Sequence, residues 1–446
     1  MSRLLIAGTS SGCGKTTVTC ALLSALIARG STPTSFKCGP DYIDPMFHRT
    51  ASGIHAYNLD PFFLDGDGLR SHLATHAGII SVIEGAMGYY DGIAATSEAS
   101  AYTVARETAT PAVLVVRVRG MGSSLGAVVK GFTQYRPDNH IMGVIFNDAS
   151  ESRYADLKQI AADTGIRVYG YLPRNPEWSL PERHLGLLAA GEIAGLKDTL
   201  QSLGRQAEQT LDIDGLIALA ETAPTLQTVE KPIERIFPQW GIQTRLAIAR
   251  DEAFCFLYEE NLELLQELGC EPAFFSPLHD KALPQDSQGL YICGGYPELH
   301  TKTLTGNTSM RESIQQAIKS GLPTIAEGGG FMYLHETLDG LPMCGVIPGT
   351  AFETKRLQRF GYMTMTARQD NLLCRAGESI RSREFHYWDS SSPGNGFIAR
   401  KAGRDRSYPC IHATDTLYAG FPHLYFPANP AFAEHFAERM KQYEAG

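Results

Sequence analysis

The stretch Gly8-Thr-Ser-Ser-Gly-Cys-Gly-Lys15-Thr16-Thr17 is the part of this sequence best equipped for chemistry. Its glycines let the backbone turn tightly enough for the N–H groups of Ser11, Gly12, Cys13 and Gly14 to surround phosphate oxygens. Lys15 adds a cation for the outer phosphates. Thr16 and Thr17 open a helical run, where the Thr16 hydroxyl can ligate Mg2+. The apolar run Leu4–Ala7 comes just before, and this strand, loop and helix order makes a glycine-rich string a phosphate-binding loop. The usual first glycine is displaced by one residue, with Thr9 in its slot. Such a loop points to ATP but not to a reaction: motor, partition ATPase, kinase and ligase all remain open.

Carboxylates follow at useful places. In Phe36-Lys37-Cys38-Gly39-Pro40-Asp41-Tyr42-Ile43-Asp44-Pro45, Asp41 and Asp44 sit three apart on a loop stiffened by two prolines. They are suited to holding Mg2+ or to orienting a nucleophile or carboxyl group near a γ-phosphate. The same spacing also serves an Asx-turn with a solvated charge, and local sequence leaves both readings open. Glu84 closes the apolar run Ser81-Val-Ile, at a strand end of the kind where doubly wound sheets place ligand chemistry, and Asp91 follows in a glycine-rich loop. Glu84 is therefore the expected acid behind the metal held by Thr16.

These residues need a frame. Short apolar runs (Leu4–Ala7, Ile79–Ile83, Ala112–Val116, Ile141–Phe146, Val168–Tyr171) alternate with helical stretches such as Thr17–Ala28 and Leu125–Phe132, the pattern of a parallel sheet covered on both faces. The alternation loosens near Leu203 and resumes at Arg245 with Leu246–Ala249, Glu259–Leu268, Leu290–Cys293, Met310–Ser320, Thr324–Ala326 and a last helix at Pro430–Tyr443. The expected division is an ATP-binding α/β domain over 1–203, a linker over 204–243 containing a helix at Ile213–Glu221, and a second α/β domain over 244–446. A chain of 446 residues has room for two such cores.

The net charge of −9, with no long basic cluster, argues against nucleic acid as a partner. No apolar segment reaches membrane-spanning length and no signal peptide is evident, so the expected location is the cytoplasm. There the nine cysteines, without C-x-x-C pairs, are expected to be thiols.

Taken together, the phosphate loop, Gly39-Pro-Asp-Tyr-Ile-Asp44-Pro45, Glu84-Gly85, Leu180-Pro-Glu-Arg-His184-Leu-Gly-Leu187, Ala249-Arg-Asp-Glu-Ala-Phe254, Phe275-Ser-Pro-Leu278, Gly294-Gly-Tyr-Pro-Glu298 and Glu384-Phe-His-Tyr387 closely resemble the cobyrinate a,c-diamide synthases. The resemblance covers nearly the whole chain. It implies a dethiobiotin-synthetase-like P-loop domain joined to a class I glutamine-amidotransferase-like α/β domain, and ATP-dependent amidation of the a and c acetates of a corrinoid precursor through acyl phosphates. It implies that Lys15, Thr16, Glu84 and Asp91 serve ATP and Mg2+, and that Asp41, Tyr42, Ile43 and Asp44 meet the substrate, a tetrapyrrole polycarboxylate. A homodimer is compatible with it. Related amidases of sirohydrochlorin, its nickel complex or sirohaem share these motifs. A P-loop switch ATPase with a C-terminal binding module is the alternative of another class, but the early lysine of those switches would fall at Ser10 and is missing.

One position breaks the pattern. The family nucleophile lies in a string of the form A-E-C-G-G, and here the sequence reads Ala326-Glu327-Gly328-Gly329-Gly330, so Gly328 stands where the cysteine belongs. The histidine partner is retained as His423 in Ala419-Gly-Phe-Pro-His423-Leu-Tyr425, and Gly294 and Gly295 match the oxyanion donors. The expectation is a chain that uses ammonia and hydrolyses little or no glutamine. Cys293, beside the oxyanion glycines, is the thiol whose motif position could substitute.

Overall fold

The computed structural model describes residues 1–53, 55–178, 182–183, 186–187, 193, 195–227 and 244–443. Half of the motif at 180–187 and the last part of the expected linker, 228–243, lie outside the described residues. The chain divides into two compact units, Met1–Lys231 and Pro232–Gly446.

In the first unit, seven strands form one parallel sheet: β1 (Ser2–Gly8), β2 (Thr34–Cys38), β3 (Ala56–Leu59), β4 (Ile80–Glu84), β5 (Ala112–Arg117), β6 (Ile141–Asn147) and β7 (Arg167–Leu172), in the order β3-β2-β4-β1-β5-β6-β7. Five of five residues in β4 are buried, as the apolar runs require of strands covered on both faces. Crossover helices include α1 (Lys15–Ala28), α2 (Ile43–Ser52), α3 (Gly66–Thr75), α4 (Ala101–Glu107), α5 (Ser124–Gln134) and α6 (Glu151–Ala162). Strand register brings the chemistry together. Ile6 of β1 and Lys37 of β2 both pair with Glu84 of β4, so the phosphate loop after β1 and the acid loop after β2 flank one strand end.

The expected domain end at 203 is displaced. Helix α7 (Leu196–Thr210) runs through that position and packs on α1 with Leu200, Leu203 and Ala207 buried. Gly204 makes the close approach possible: a Cβ there would stand 2.7 Å from the Ser24 Cβ. Helix α8 (Ile213–Glu221) packs against β1, so the helix expected in a linker belongs to the first core. The loosened pattern reflects two consecutive helices without an intervening strand.

The second unit opens with another parallel arrangement: β10 (Thr244–Ala249), α9 (Glu259–Glu267), β11 (Cys270–Phe275), β12 (Gly289–Ile292), α10 (Thr301–Gly306), α11 (Thr308–Lys319), β13 (Thr324–Glu327) and α12 (Gly329–Leu334), the labels β8 and β9 denoting the pairs Glu182–Arg183 and Gly186–Leu187 of the first unit. The sheet runs β11-β10-β12-β13 and continues with the strands Leu417–Gly420 and His412–Ala413. Between α12 and that return lies a largely antiparallel region that a simple α/β alternation does not foresee. It includes the paired strands Arg359–Ala367 and Ser379–His386, and Ser382 and Arg383 of the latter pair with Leu424 and His423. No described helix is long and apolar enough to cross a membrane.

Candidate active site

The P-loop turn depends on Gly14, whose φ of 100° opens α1 and whose missing side chain admits Asn147: a Cβ would lie 2.0 Å from the Asn147 Nδ2. Asn147, at the end of β6, donates that amide to the Cys13 carbonyl at 3.0 Å and so braces the loop. Lys15 folds back over it, donating to the Met87 carbonyl at 2.6 Å and the Ser10 carbonyl at 3.1 Å. Burial lowers the Lys15 ammonium pKa. The lysine is thus held against backbone oxygens at the mouth of the loop, where phosphate oxygens would compete for it.

Glu84 is the hub. Its Oε1 accepts the Thr16 hydroxyl at 2.7 Å and the Lys37 ammonium at 2.8 Å, and its Oε2 meets His48 Nε2 at 2.6 Å. Burial would raise this carboxyl, but Lys37 and His48 outweigh it and hold Glu84 far below the usual carboxylate range. Lys37 also pairs with Asp44. Although burial opposes its charge, Asp44, Glu84 and Asp41 raise the Lys37 ammonium above its ordinary value. With one cation among three acids, burial and the neighbouring Asp41 push the Asp44 carboxyl up.

Asp41 turns its Oδ1 to the Ile43 N–H at 2.8 Å, an Asx-type contact at the start of α2. Tyr42 and Ile43 are buried there, 5% and 7% exposed. Asp91 accepts the Gly88 N–H at 3.0 Å and organises the loop after β4. Thr16 and Lys37 therefore meet at Glu84 and Lys37 carries Asp44 alongside, while Asp41 and Asp91 order the loops beside them. His48 and Asn58 have no sequence signal of their own. Asn58 donates to the carbonyls of Gly39 at 2.9 Å and Asp41 at 2.7 Å, holding the acid loop in place.

In the second unit, β13 ends at Glu327 and the chain turns sharply into α12 through Gly328, at φ 50° and ψ −110°. The Gly328 N–H donates to the Gly420 carbonyl at 2.9 Å, and its carbonyl accepts the first helical bond, from Met332 at 3.1 Å. Gly330 lets the turn sit on β12, since a Cβ there would come within 2.1 Å of the Ile292 carbonyl. The His423 ring lies against both Gly294 and Gly328: added Cβ atoms would stand 2.4 Å and 2.8 Å from its Cε1. Gly295 is fixed by the Ala253 carbonyl, which a Cβ would approach to 2.1 Å, and its amide nitrogen is 3.0 Å from where Gly329 would carry a Cβ.

The strand pairing at Ser382 and Arg383 anchors His423, reinforced by the Ser382 hydroxyl, which donates to the His423 carbonyl. Further along that strand, buried Glu384 accepts the Tyr408 hydroxyl, and His386 stacks on Phe421 at 3.9 Å and 8°. The Glu-Phe-His-Tyr string thus supports the strand that carries the site's histidine. Asp251 similarly ties its loop together, accepting from Ser276 at 2.7 Å and Leu278 at 2.9 Å. The structure places the candidate substitute thiol, Cys293, in the core. It is 1% exposed and donates to the Ala249 carbonyl on the neighbouring strand at 3.3 Å, and burial pushes its pKa well up.

A P-loop unit with Thr and Glu poised at adjacent strand ends, joined to a unit with an amidotransferase elbow, defines an amidating ligase. Residues 4–188 match the CobQ/CobB/MinD/ParA nucleotide binding domain, and residues 245–430 match the CobB/CobQ-like glutamine amidotransferase domain. The cobyrinate a,c-diamide synthase of Dehalococcoides mccartyi is 36% identical over 99% of both chains. That of Thermoplasma volcanium is 38% identical over 99% of this chain and 98% of its own, and that of Priestia megaterium 38% over 98% and 97%. The chain belongs to the cobyrinate a,c-diamide synthase family.

Proposed function

We propose that this chain converts the a and c acetate carboxylates of cobyrinic acid, a corrinoid, into amides at the expense of ATP, with ammonia as the nitrogen donor. The observation that carries the ATP half is the meeting of Thr16 and Lys37 at Glu84, with Asp44 paired to Lys37. A free carboxylate is a poor electrophile, so one of its oxygens first attacks the γ-phosphorus and ADP leaves, giving an acyl phosphate. Ammonia then attacks the acyl carbon, the C–O bond to phosphate breaks, and the nitrogen sheds a proton as inorganic phosphate departs.

Lys15 would leave the Met87 carbonyl for the outer phosphate oxygens, and Lys37 is placed to balance charge beside Glu84. An oxygen donor set of Thr16 and Glu84 suits Mg2+, which would supply charge neutralisation at the transferring phosphate. Asp44, on the same loop as Asp41, Tyr42 and Ile43, presents the acid surface nearest that centre and is assigned to orienting the substrate acetate.

Gly328 carries the nitrogen half. The elbow position carries no thiol, and Cys293 is turned toward the Ala249 carbonyl. Incubating the full chain with ATP, Mg2+ and cobyrinic acid tests the reading by mass spectrometry. Ammonium is expected to yield the diamide, whereas glutamine as sole donor yields none. Diamide formation from glutamine at a rate like that from ammonium would overturn the nitrogen half, and absence of amide from either donor would overturn the whole. Parallel reactions with other tetrapyrrole acids test substrate choice.

A further inference from the structure

Gly328 stands where the family's nucleophile belongs, and the residues around it keep an arrangement suited to one. The turn at Gly328 retains φ 50° and ψ −110°, a conformation that side chains rarely adopt and that aims position 328 at His423. On the ring's other side lies a carboxylate: Glu327 Oε2 is 3.6 Å from His423 Nδ1. Glu327 is itself 1% exposed and rigidly held, its Oε2 accepting the Tyr291 hydroxyl at 2.9 Å and its Oε1 the Leu424 N–H at 2.8 Å. Two residues beyond the histidine, Tyr425 is buried with its ring across Tyr258 at 5.2 Å and offers no carboxylate.

We propose that Glu327, the residue just before the elbow, is the positioning carboxylate of His423, and that the second unit is a glutaminase centre complete except for its thiol. The inference rests on the reading of that unit as silent in the unaltered chain.

The atoms that crowd a side chain at position 328 are Cε1 and Nε2, both 2.8 Å from the added Cβ and both at the free end of the His423 side chain; the nearest backbone atom, Gly294 Cα, is 3.7 Å away. A small withdrawal of the ring therefore makes room. In Gly328→Cys, the thiol proton passes to His423 Nε2 while Glu327 faces Nδ1. The sulfur then attacks the glutamine side-chain amide carbon, the C–N bond breaks, and the same proton leaves with ammonia. Water cleaves the thioester, giving glutamate and restoring the thiol. Gly294 and Gly295, the oxyanion donors expected from the sequence, lie beside this turn, the Gly295 amide nitrogen 3.0 Å from a Cβ built on Gly329.

The experiment is glutamate release by the full-length chain carrying Gly328→Cys, with its melting temperature recorded. The expected result is release at least about a hundredfold above the unaltered chain, together with rapid alkylation of the introduced thiol. Adding Glu327→Gln is expected to lower kcat about 10–100-fold while KM for glutamine stays within about threefold, and Glu327→Asp to recover part of the loss. A folded Gly328→Cys chain that releases no glutamate overturns the proposal, as does one that cannot fold, since the argument for room at His423 then fails. An unchanged kcat in the Glu327→Gln background overturns the role given to Glu327. Glutamate release by the unaltered chain is a separate failure, that of the silent reading itself.

Discussion

The edge of the His423 imidazole lies where a side chain at position 328 would begin, with Cε1 and Nε2 each 2.8 Å from a Cβ built on Gly328. The ring has closed over the space a nucleophile would use. It lies against Gly328 and Gly294, with Glu327 facing Nδ1. On the reading proposed above, amidation then draws on ammonia from solution. Because the reactive species is unprotonated ammonia, the apparent KM for total ammonium is expected to fall about tenfold per pH unit of increase well below the ammonium pKa. The check is a set of amidation rates against total ammonium at several pH values. A KM that ignores pH would point to a protein-bound donor instead.

Cys293 is expected to be inert. Its thiol points along the sheet to the Ala249 carbonyl and is held protonated by burial, so Cys293→Ala should leave amidation unchanged and cost about 1 kcal/mol of stability. Of the nine cysteines, Cys255 alone is more than minimally exposed. Brief alkylation of the native chain followed by peptide mapping should therefore mark Cys255 first and leave Cys293 unmodified.

Glu84 draws its orientation from three partners on three different elements, and His48 is the one with no access to solvent. Its bond to Oε2 leaves Oε1 facing Thr16 and Lys37. Partners that orient a metal-binding carboxylate typically matter 10–100-fold. His48→Ala is accordingly expected to weaken Mg2+-dependent ADP binding by about that factor in calorimetry, and His48→Gln, which keeps a donor, by less. Equal losses for the two variants would show that His48 fills space and does not orient Glu84. Glu84→Gln should be worse than either, because it removes a carboxylate that pairs directly with the buried Lys37.

The contrast between Glu84 and His48 shows what sequence can reveal. Lys15, Thr16 and Glu84 are legible because each is tied to local grammar, a glycine loop between strand and helix or the last residue of an apolar strand. His48 is 36 positions from Glu84, and Asn58 is 17 from Asp41, so only folding relates them. The same holds for Glu327. The residue next to the vacant position is visible in the string, but its pairing with His423 depends on where the strands Leu417–Gly420 and Ser379–His386 return. The domain end was misplaced for a related reason: the apolar face of α7 reads as an isolated helix until α1 supplies its partner. The antiparallel strands of the second unit were hidden because their alternation is short and mixed, with Arg359–Ala367 burying only its last few alternate residues.

A buried histidine just after α12 makes the second unit sensitive to acid. His335 is fully buried, its Nδ1 2.9 Å from the Phe331 carbonyl and its Nε2 2.7 Å from the Ser390 hydroxyl. Burial, only partly offset by the Phe331 carbonyl, moves its pKa from the ordinary 6.5 down to about 4. The fold therefore prefers the neutral ring. Above pH 6.5 both folded and unfolded chains carry it neutral and stability is complete. Between that value and about 4 the unfolded chain takes up a proton that the folded chain refuses, so stability falls as pH falls, and below about 4 both are protonated and the loss levels off. A shift of this size corresponds to about 3 kcal/mol at its full extent. Urea unfolding followed by a signal from the second unit, repeated from pH 7.5 to 4.5, should show that decline. His335→Gln, which keeps a donor and an acceptor without titrating, should start less stable and lose less on acidification. If the variant declines as steeply as the unaltered chain over the same range, groups other than His335 carry the acid sensitivity.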